Sequence, residues 1–197
     1  MSSHHFVKEG QEPALFIVNA LSLEQVEPLL EWAPLVMVSE DALDDVLRWG
    51  IKIDAVLTSH QDESLTQKLE YQHPVSIISF NPADDFVKVG IDFLQSRKSS
   101  AVNVMCDVTV QTFASAHTRL DFQCSLLNRD ARWSLIRNRH FEKWLEAGSK
   151  LLVYTQTFND IEFEGLERRD SEGNFVSPQT GVVKIRGAHD FWIGELF

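Results

Sequence analysis

Leu35-Val36-Met37-Val38-Ser39-Glu40-Asp41-Ala42-Leu43-Asp44-Asp45-Val46-Leu47-Arg48-Trp49-Gly50-Ile51-Lys52-Ile53-Asp54-Ala55-Val56-Leu57 decides the fold. Leu35 to Val38 is an unbroken apolar run, the pattern of a strand buried on both faces. Ala42, Leu43, Val46, Leu47 and Trp49 then fall at i, i+1, i+4, i+5 and i+7, which is one face of a helix. Gly50 follows, where a helix can end on a left-handed residue. Ile51 to Leu57 leads into another apolar strand. Two strands joined through a helix of this length form a parallel crossover, because a tight turn can only reverse the chain.

The same rhythm extends outward. Upstream, Ala14-Leu15-Phe16-Ile17-Val18 reads as a strand. Ser22 follows as a helix cap with Gln25 in the capping-box position, then Leu23, Val26, Leu29 and Leu30 on one face, with Pro34 in the turn beyond. Downstream, Val75 to Ile78 is a fourth strand, Asp84 or Asp85 starts a helix carrying Phe86, Val89, Ile91, Phe93 and Leu94, and Ala101 to Met105 is a fifth strand. Residues 1–130 are therefore expected to be an α/β domain, a Rossmann-like, mostly parallel sheet with helices on both faces. After about residue 120 the segments near 120–127, 132–137, 150–155, 161–163, 182–186 and 191–193 are short and separated by turn signals such as Asn128-Arg129-Asp130 and Ser171-Glu172-Gly173-Asn174. Residues 131–197 are expected to form a small all-β domain, a β-sandwich.

Composition excludes several function classes. The chain has 197 residues, is 44% apolar and carries a formal net charge of −11. Residues 1–130 hold 9 basic and 19 acidic side chains against 9 and 10 in 131–197. With so few cations to neutralise phosphates, nucleic acid and anionic membrane are not expected partners. Cys106 and Cys124 form neither a disulfide framework nor a Cys-x-x-Cys pair, and they read as buried thiols of a reducing, cytoplasmic protein. The N-terminal His4-His5 pair reads as a frayed end. No Gly-x-Ser-x-Gly elbow is present. Between residues 11 and 147 the only glycines are Gly50 and Gly90, so no strand-to-helix turn carries the glycine that a backbone phosphate cradle needs.

From residue 35 onward the order of landmarks resembles the thiamin pyrophosphokinase family: a strand, an acid, a helix ending in Trp49-Gly50, Ile51-Lys52-Ile53-Asp54, then a strand. Asp85-Phe86-Val87-Lys88-Val89-Gly90-Ile91-Asp92-Phe93-Leu94 resembles the family's Thr-Asp-x-x-Lys-Ala-Leu helix. His140 to Ser149 and Phe191 to Glu195 suit its second domain. The resemblance implies transfer of a diphosphoryl group from ATP to the hydroxyl of thiamin, Mg²⁺ on carboxylates at the strand ends, and a homodimer.

The family's site positions fall on altered residues. Its first acidic motif lies on Glu40-Asp41-Ala42, and its Gly-Asp-Phe-Asp motif on Thr58-Ser59-His60-Gln61, with Asp62 one position late. The third motif lies on Asp84-Asp85 or one residue later. The fourth, Gly-Gly-Arg-x-Asp-His, has no counterpart in Cys106 to Phe113, and Asn174 and Ser177 are the candidates for its C-terminal Ser-Asn pair. Glu40 and Asp41 have a plain structural reading too: at a helix N-terminus the macrodipole favours an anion by about 0.3–1 kcal/mol. Without a metal, a carboxylate ~8 Å from a phosphate charge repels it by ~2 kcal/mol at an effective dielectric of ~20. His60, at a strand end, could act as a general base, and His117 could pair with Asp121 one helical turn on. Of the second-part aromatics, Trp133, Trp144, Phe158, Phe163, Phe175, Phe191 and Trp192 are expected mostly in the core, with one or two facing a dimer partner.

The reading is a thiamin-pyrophosphokinase-like protein with impaired or absent catalysis and a binding or dimerisation role, its ligand thiamin or a nucleotide. The competing reading is an active diphosphokinase that uses Mg²⁺ and ATP, with its metal site remade from Glu40, Asp62 and Asp85.

Overall fold

The computed structural model describes residues 12–60, 63–117 and 122–197. Gln61, Asp62, Asp121 and the His4-His5 pair lie outside the described residues. The chain divides into two compact units, Met1–Asp107 and Val108–Phe197.

The first unit is built on five parallel strands, β1 (Ala14–Ile17), β2 (Val36–Ser39), β3 (Ala55–Thr58), β4 (Ser76–Ser79) and β5 (Ala101–Met105), in the order β5-β1-β2-β3-β4. Every residue of β1, β2 and β3 is buried, which is why their sequences run apolar without alternation up to the buried Ser39 and Thr58 that end β2 and β3. Strand β4 closes the sheet, is only partly covered, and carries serine at both ends.

The crossovers are α1 (Leu23–Leu30), α2 (Glu40–Arg48), α3 (Glu63–Lys68) and α4 (Phe86–Ser96). Helix α2 follows β2 without a break. Ser39 Oγ accepts the Ala42 amide at 3.3 Å and donates to the Val18 carbonyl at 2.6 Å, so one hydroxyl caps the helix and ties it to β1. Ala42, Leu43 and Val46 are its buried face, and Gly50 (φ 71°) lies just past its end. Asp85 caps α4 through the Lys88 amide. Phe16 and Met37 are register partners on β1 and β2 and share a face; Gly90 of α4 lies on that face, where an added Cβ would stand 2.6 Å from Phe16 Cε1. Ser22 occupies the N-cap position of α1, but its side chain makes no capping hydrogen bond, so the capping box expected with Gln25 does not form.

The second unit opens with α5 (Val110–Ala116), capped by Thr109, whose Oγ1 accepts the Thr112 amide. Its strands are β6 (Gln123–Leu127), β7 (Ala131–Ile136), β8 (His140–Leu145), β9 (Lys150–Tyr154), β10 (Ile161–Glu164), β11 (Glu167–Arg168), β12 (Asn174–Val176), β13 (Gly181–Gly187) and β14 (Phe191–Leu196). Within the unit they pair antiparallel in two groups, β11-β12-β9-β14-β7-β6 and β10-β13-β8. Their apolar faces meet: Leu151, Val153, Phe175, Phe191 and Ile193 of the first group cluster with Ile185 of the second, and the Phe163 ring stacks on Phe175 at 4.3 Å.

The division lies at Asp107/Val108, not near residue 130, where the change of rhythm pointed. The reason is local: β6 pairs with β7, and Phe113 of α5 packs edge-on against Trp192 of β14, so α5 and β6 belong to the antiparallel unit.

Candidate functional site

In an open parallel sheet, ligands gather where the strands end and the helices begin. Here that edge comprises the residues after β1 to β5. Glu40 opens α2 and accepts a hydrogen bond from Thr58 Oγ1 at the end of β3. Thr58 is fully buried, and its Oγ1 also accepts the His60 amide at 3.0 Å, so this hydroxyl organises the turn after β3 and holds the Glu40 carboxylate beside it. Ser59 Oγ stands 2.7 Å from His60 Nδ1, which places the imidazole against its own neighbour. Asp41 is exposed in the first turn of α2. Further along that helix, Asp44 pairs with Lys68 of α3 at 2.8 Å and Asp45 with Arg48.

After β4, Asp84 Oδ2 accepts the Asn81 amide at 3.3 Å, while Asp85 caps α4. After β1 and β5, Asn19 Oδ1 accepts the Asp107 amide at 2.9 Å and the Cys106 thiol at 3.5 Å. Burial, and secondarily the Asp107 charge, pushes the Cys106 thiol up to about 11, so at neutral pH it is not a thiolate nucleophile.

Asp54 and Lys52, in the stretch that reads most like the family, have structural work. Asp54 Oδ2 accepts the Val36 amide at 2.9 Å, and Lys52 Nζ reaches the carbonyls of Ile53 (2.7 Å), Gln72 and Pro74 (3.1 Å). Magnesium asks for several oxygens converging octahedrally, usually from one or two carboxylates plus water and phosphate. Among the described residues no three His, Cys, Asp or Glu side chains come together closely enough to hold a metal ion. Of the candidate donors that are described, Glu40 accepts the Thr58 hydroxyl, Asp84 the Asn81 amide and Asp85 the Lys88 amide, each bond using one carboxylate oxygen.

In the second unit the two sequence candidates also have local partners. Ser177 is fully buried; its Oγ donates to the Gln179 carbonyl at 2.6 Å, and its amide donates to the Ser149 carbonyl at 3.0 Å. Asn174 donates its amide to Asp170 at 3.1 Å and its side-chain NH₂ to the same carboxylate. The Asn174 amide, with further help from that side chain, the Glu172 amide and the Arg168 charge, holds the Asp170 carboxyl below the usual carboxylate range.

A cavity of about 400 Å³ at the other end of β9 has no counterpart among the residues the sequence singles out as a site. Its floor is a row across three strands, since Trp192 of β14 is the register partner of both Leu135 on β7 and Tyr154 on β9. Ala114 comes from α5 and His117 from the position just past its end, and the rim carries Arg139, Thr155, Gln156, Thr157, His189 and Asp190. The signal that could have found it is the Trp192-Tyr154 pairing, invisible until the strand register is known.

No protein-family model matches the sequence, and no curated protein is significantly similar to it. Solved structures do match along nearly the whole chain. Thiamin pyrophosphokinase from Candida albicans superposes with a TM-score of 0.65 over 96% of this chain and 93% of its own, at 9% identity. The yeast enzyme gives 0.66 over 96% and 88%, at 10% identity. A thiamin pyrophosphokinase family protein from Enterococcus faecalis gives 0.67 over 93% and 99%, at 8% identity. This chain has the thiamin pyrophosphokinase fold.

Proposed function

We propose that this chain is a divergent protein of the thiamin pyrophosphokinase fold, with a β-sandwich second unit, that no longer transfers diphosphate and instead binds thiamin or a nucleotide as a homodimer. The observation that carries the loss of transfer is the Thr58–Glu40 hydrogen bond together with the capping and turn bonds of Asp85 and Asp84. Each of these exposed carboxylates has one oxygen engaged by a backbone or hydroxyl donor of the protein itself. Acids that no metal bridges oppose triphosphate binding by ordinary Coulomb repulsion. The homodimer reading finds support in Trp144 and Val182, register partners on β8 and β13 that are 58% and 48% exposed. An aromatic beside an aliphatic at a surface is what an interface core offers.

The alternative, an active diphosphokinase, is favoured by the coverage of both units by enzymes of that name. Purified protein incubated with ATP, Mg²⁺ and thiamin separates the two readings: AMP and thiamin diphosphate accumulate only under the alternative. Melting temperature tests the binding role. A ligand at ~100 times its Kd stabilises by ~2.7 kcal/mol, so thiamin or ATP should raise the transition, and no rise with either contradicts a binding role for those ligands.

A further inference from the structure

We infer that the cavity framed by α5 and the Leu135–Trp192–Tyr154 row binds a small planar heterocycle bearing a carboxylate or phosphate, its ring against Tyr154 and Trp192 and its anionic group at Arg139. It uses none of the residues at the carboxyl edge of the parallel sheet. Ser177 sits by the start of β9, and the cavity lies at that strand's end, beside Tyr154 to Thr157.

Three features select the ligand class. The volume of about 400 Å³ falls in the range of sites that enclose small organic ligands. The floor is aromatic and fixed: Phe113 meets Trp192 edge-on at 6.0 Å and 89°, and the Phe113 and His117 rings pack at 4.7 Å. One rim is a tied loop, with Thr157 Oγ1 donating to Asp160 at 2.8 Å and the Thr157 amide donating to Thr155 Oγ1 at 3.4 Å. Gln156, exposed between those threonines, offers an amide that both donates to and accepts from a ring edge.

Among the described residues Arg139 is the one Lys or Arg lining the cavity, and its guanidinium is a bidentate partner for a carboxylate or phosphate. Its backbone is left-handed (φ 59°), and its carbonyl accepts the Gly187 amide at 3.0 Å, which fixes the turn carrying the cation. Asp190 on the same rim disfavours a second negative group there, so a single anionic substituent suits the site best.

Titration of the full-length protein with nicotinate and with AMP, followed by NMR signals of the His117 and His189 imidazoles and the Trp192 indole, tests the inference. Both probes should shift the same signals saturably. Nicotinamide, which has the ring without the charge, and inorganic phosphate, which has the charge without the ring, should bind at least tenfold more weakly. Arg139→Asn keeps a residue that tolerates the left-handed backbone and should weaken nicotinate and AMP about tenfold or more while leaving nicotinamide unchanged. Arg139→Gly serves the same purpose if the asparagine variant does not fold. Absence of a saturable shift of these signals with both anionic probes at millimolar concentration, tighter binding of cationic thiamin than of either as read at these same signals, or an Arg139→Asn variant with unaltered affinities overturns the inference. If only nicotinate binds, the anionic group is a carboxylate; if only AMP binds, it is a phosphate.

Discussion

Thr58 does more at the carboxyl edge than any acid there. It is buried, holds Glu40 and organises the turn to His60, all through one hydroxyl. Thr58→Val keeps the shape and removes that hydroxyl. It is expected to cost about 1–3 kcal/mol in urea unfolding, whereas Thr58→Ser should retain most of the stability. The thiols give a pH prediction. Burial pushes Cys124 up to about 12 from 9.0, so between those values the unfolded chain loses this proton before the folded one does. The folded state then binds more protons, the slope of stability against pH is negative, and stability present below about 9 is lost as the pH climbs. Unfolding curves at rising alkaline pH should fall less steeply for Cys124→Ala than for the parent. At this scale the sequence pointed to Glu40, Asp84 and Asp85 as candidates from chain order, but Glu40, at the head of α2, finds its partner at the end of β3, and no local pattern encodes that Thr58 faces it.

Elements with strong apolar period were legible, and those held by neighbours were not. Strands β1, β2, β3 and β5 and helices α2 and α4 stand where the runs and periods place them, because strands buried on both faces are mostly apolar, the buried Ser39, Thr58 and Asn103 being the exceptions. Helices α3 and α5 are short and mixed in polarity, and β8 alternates exposed and half-buried residues that include His140, Glu142 and Lys143, so the first two gave no clear period and the third little apolar signal. The serines at the two helix N-cap positions differ in what they bond. Ser39 caps its helix and reaches Val18, while Ser22 makes no capping bond. Ser39→Ala should therefore lower stability by about 0.5–2 kcal/mol, and Ser22→Ala should stay within about 0.5 kcal/mol of the parent, both read by thermal or urea unfolding. Gly90→Ala puts a methyl 2.6 Å from the Phe16 ring and 2.7 Å from Met37 Cε, so those side chains or α4 must shift to admit it. Overpacking of this kind should destabilise by about 1–3 kcal/mol, although alanine is the better helix former.

For the whole molecule, the α/β character of the first unit was written in residues 35–57, and solved structures at 8% to 10% identity carry the same fold through both units. The place where the chain divides was not legible, since it depends on Phe113 meeting Trp192 and β6 pairing with β7. Nor was the cavity, which exists only once β7, β14 and β9 are in register. No helix among the described residues is long and apolar enough to cross a membrane. Sedimentation velocity at micromolar concentration should give a dimer, and Trp144→Glu should return it to a monomer if the exposed Trp144–Val182 pair lies at the interface.

On the proposed function, the acids at the carboxyl edge serve the turns and helix heads around them and do not grip a divalent cation. Calorimetric titration of the full-length protein with Mg²⁺, in the presence and absence of ATP, tests this most directly. The predicted result is no saturable 1:1 binding that Glu40→Gln or Asp85→Asn diminishes; a stoichiometric Mg²⁺ site that either substitution abolishes would contradict it.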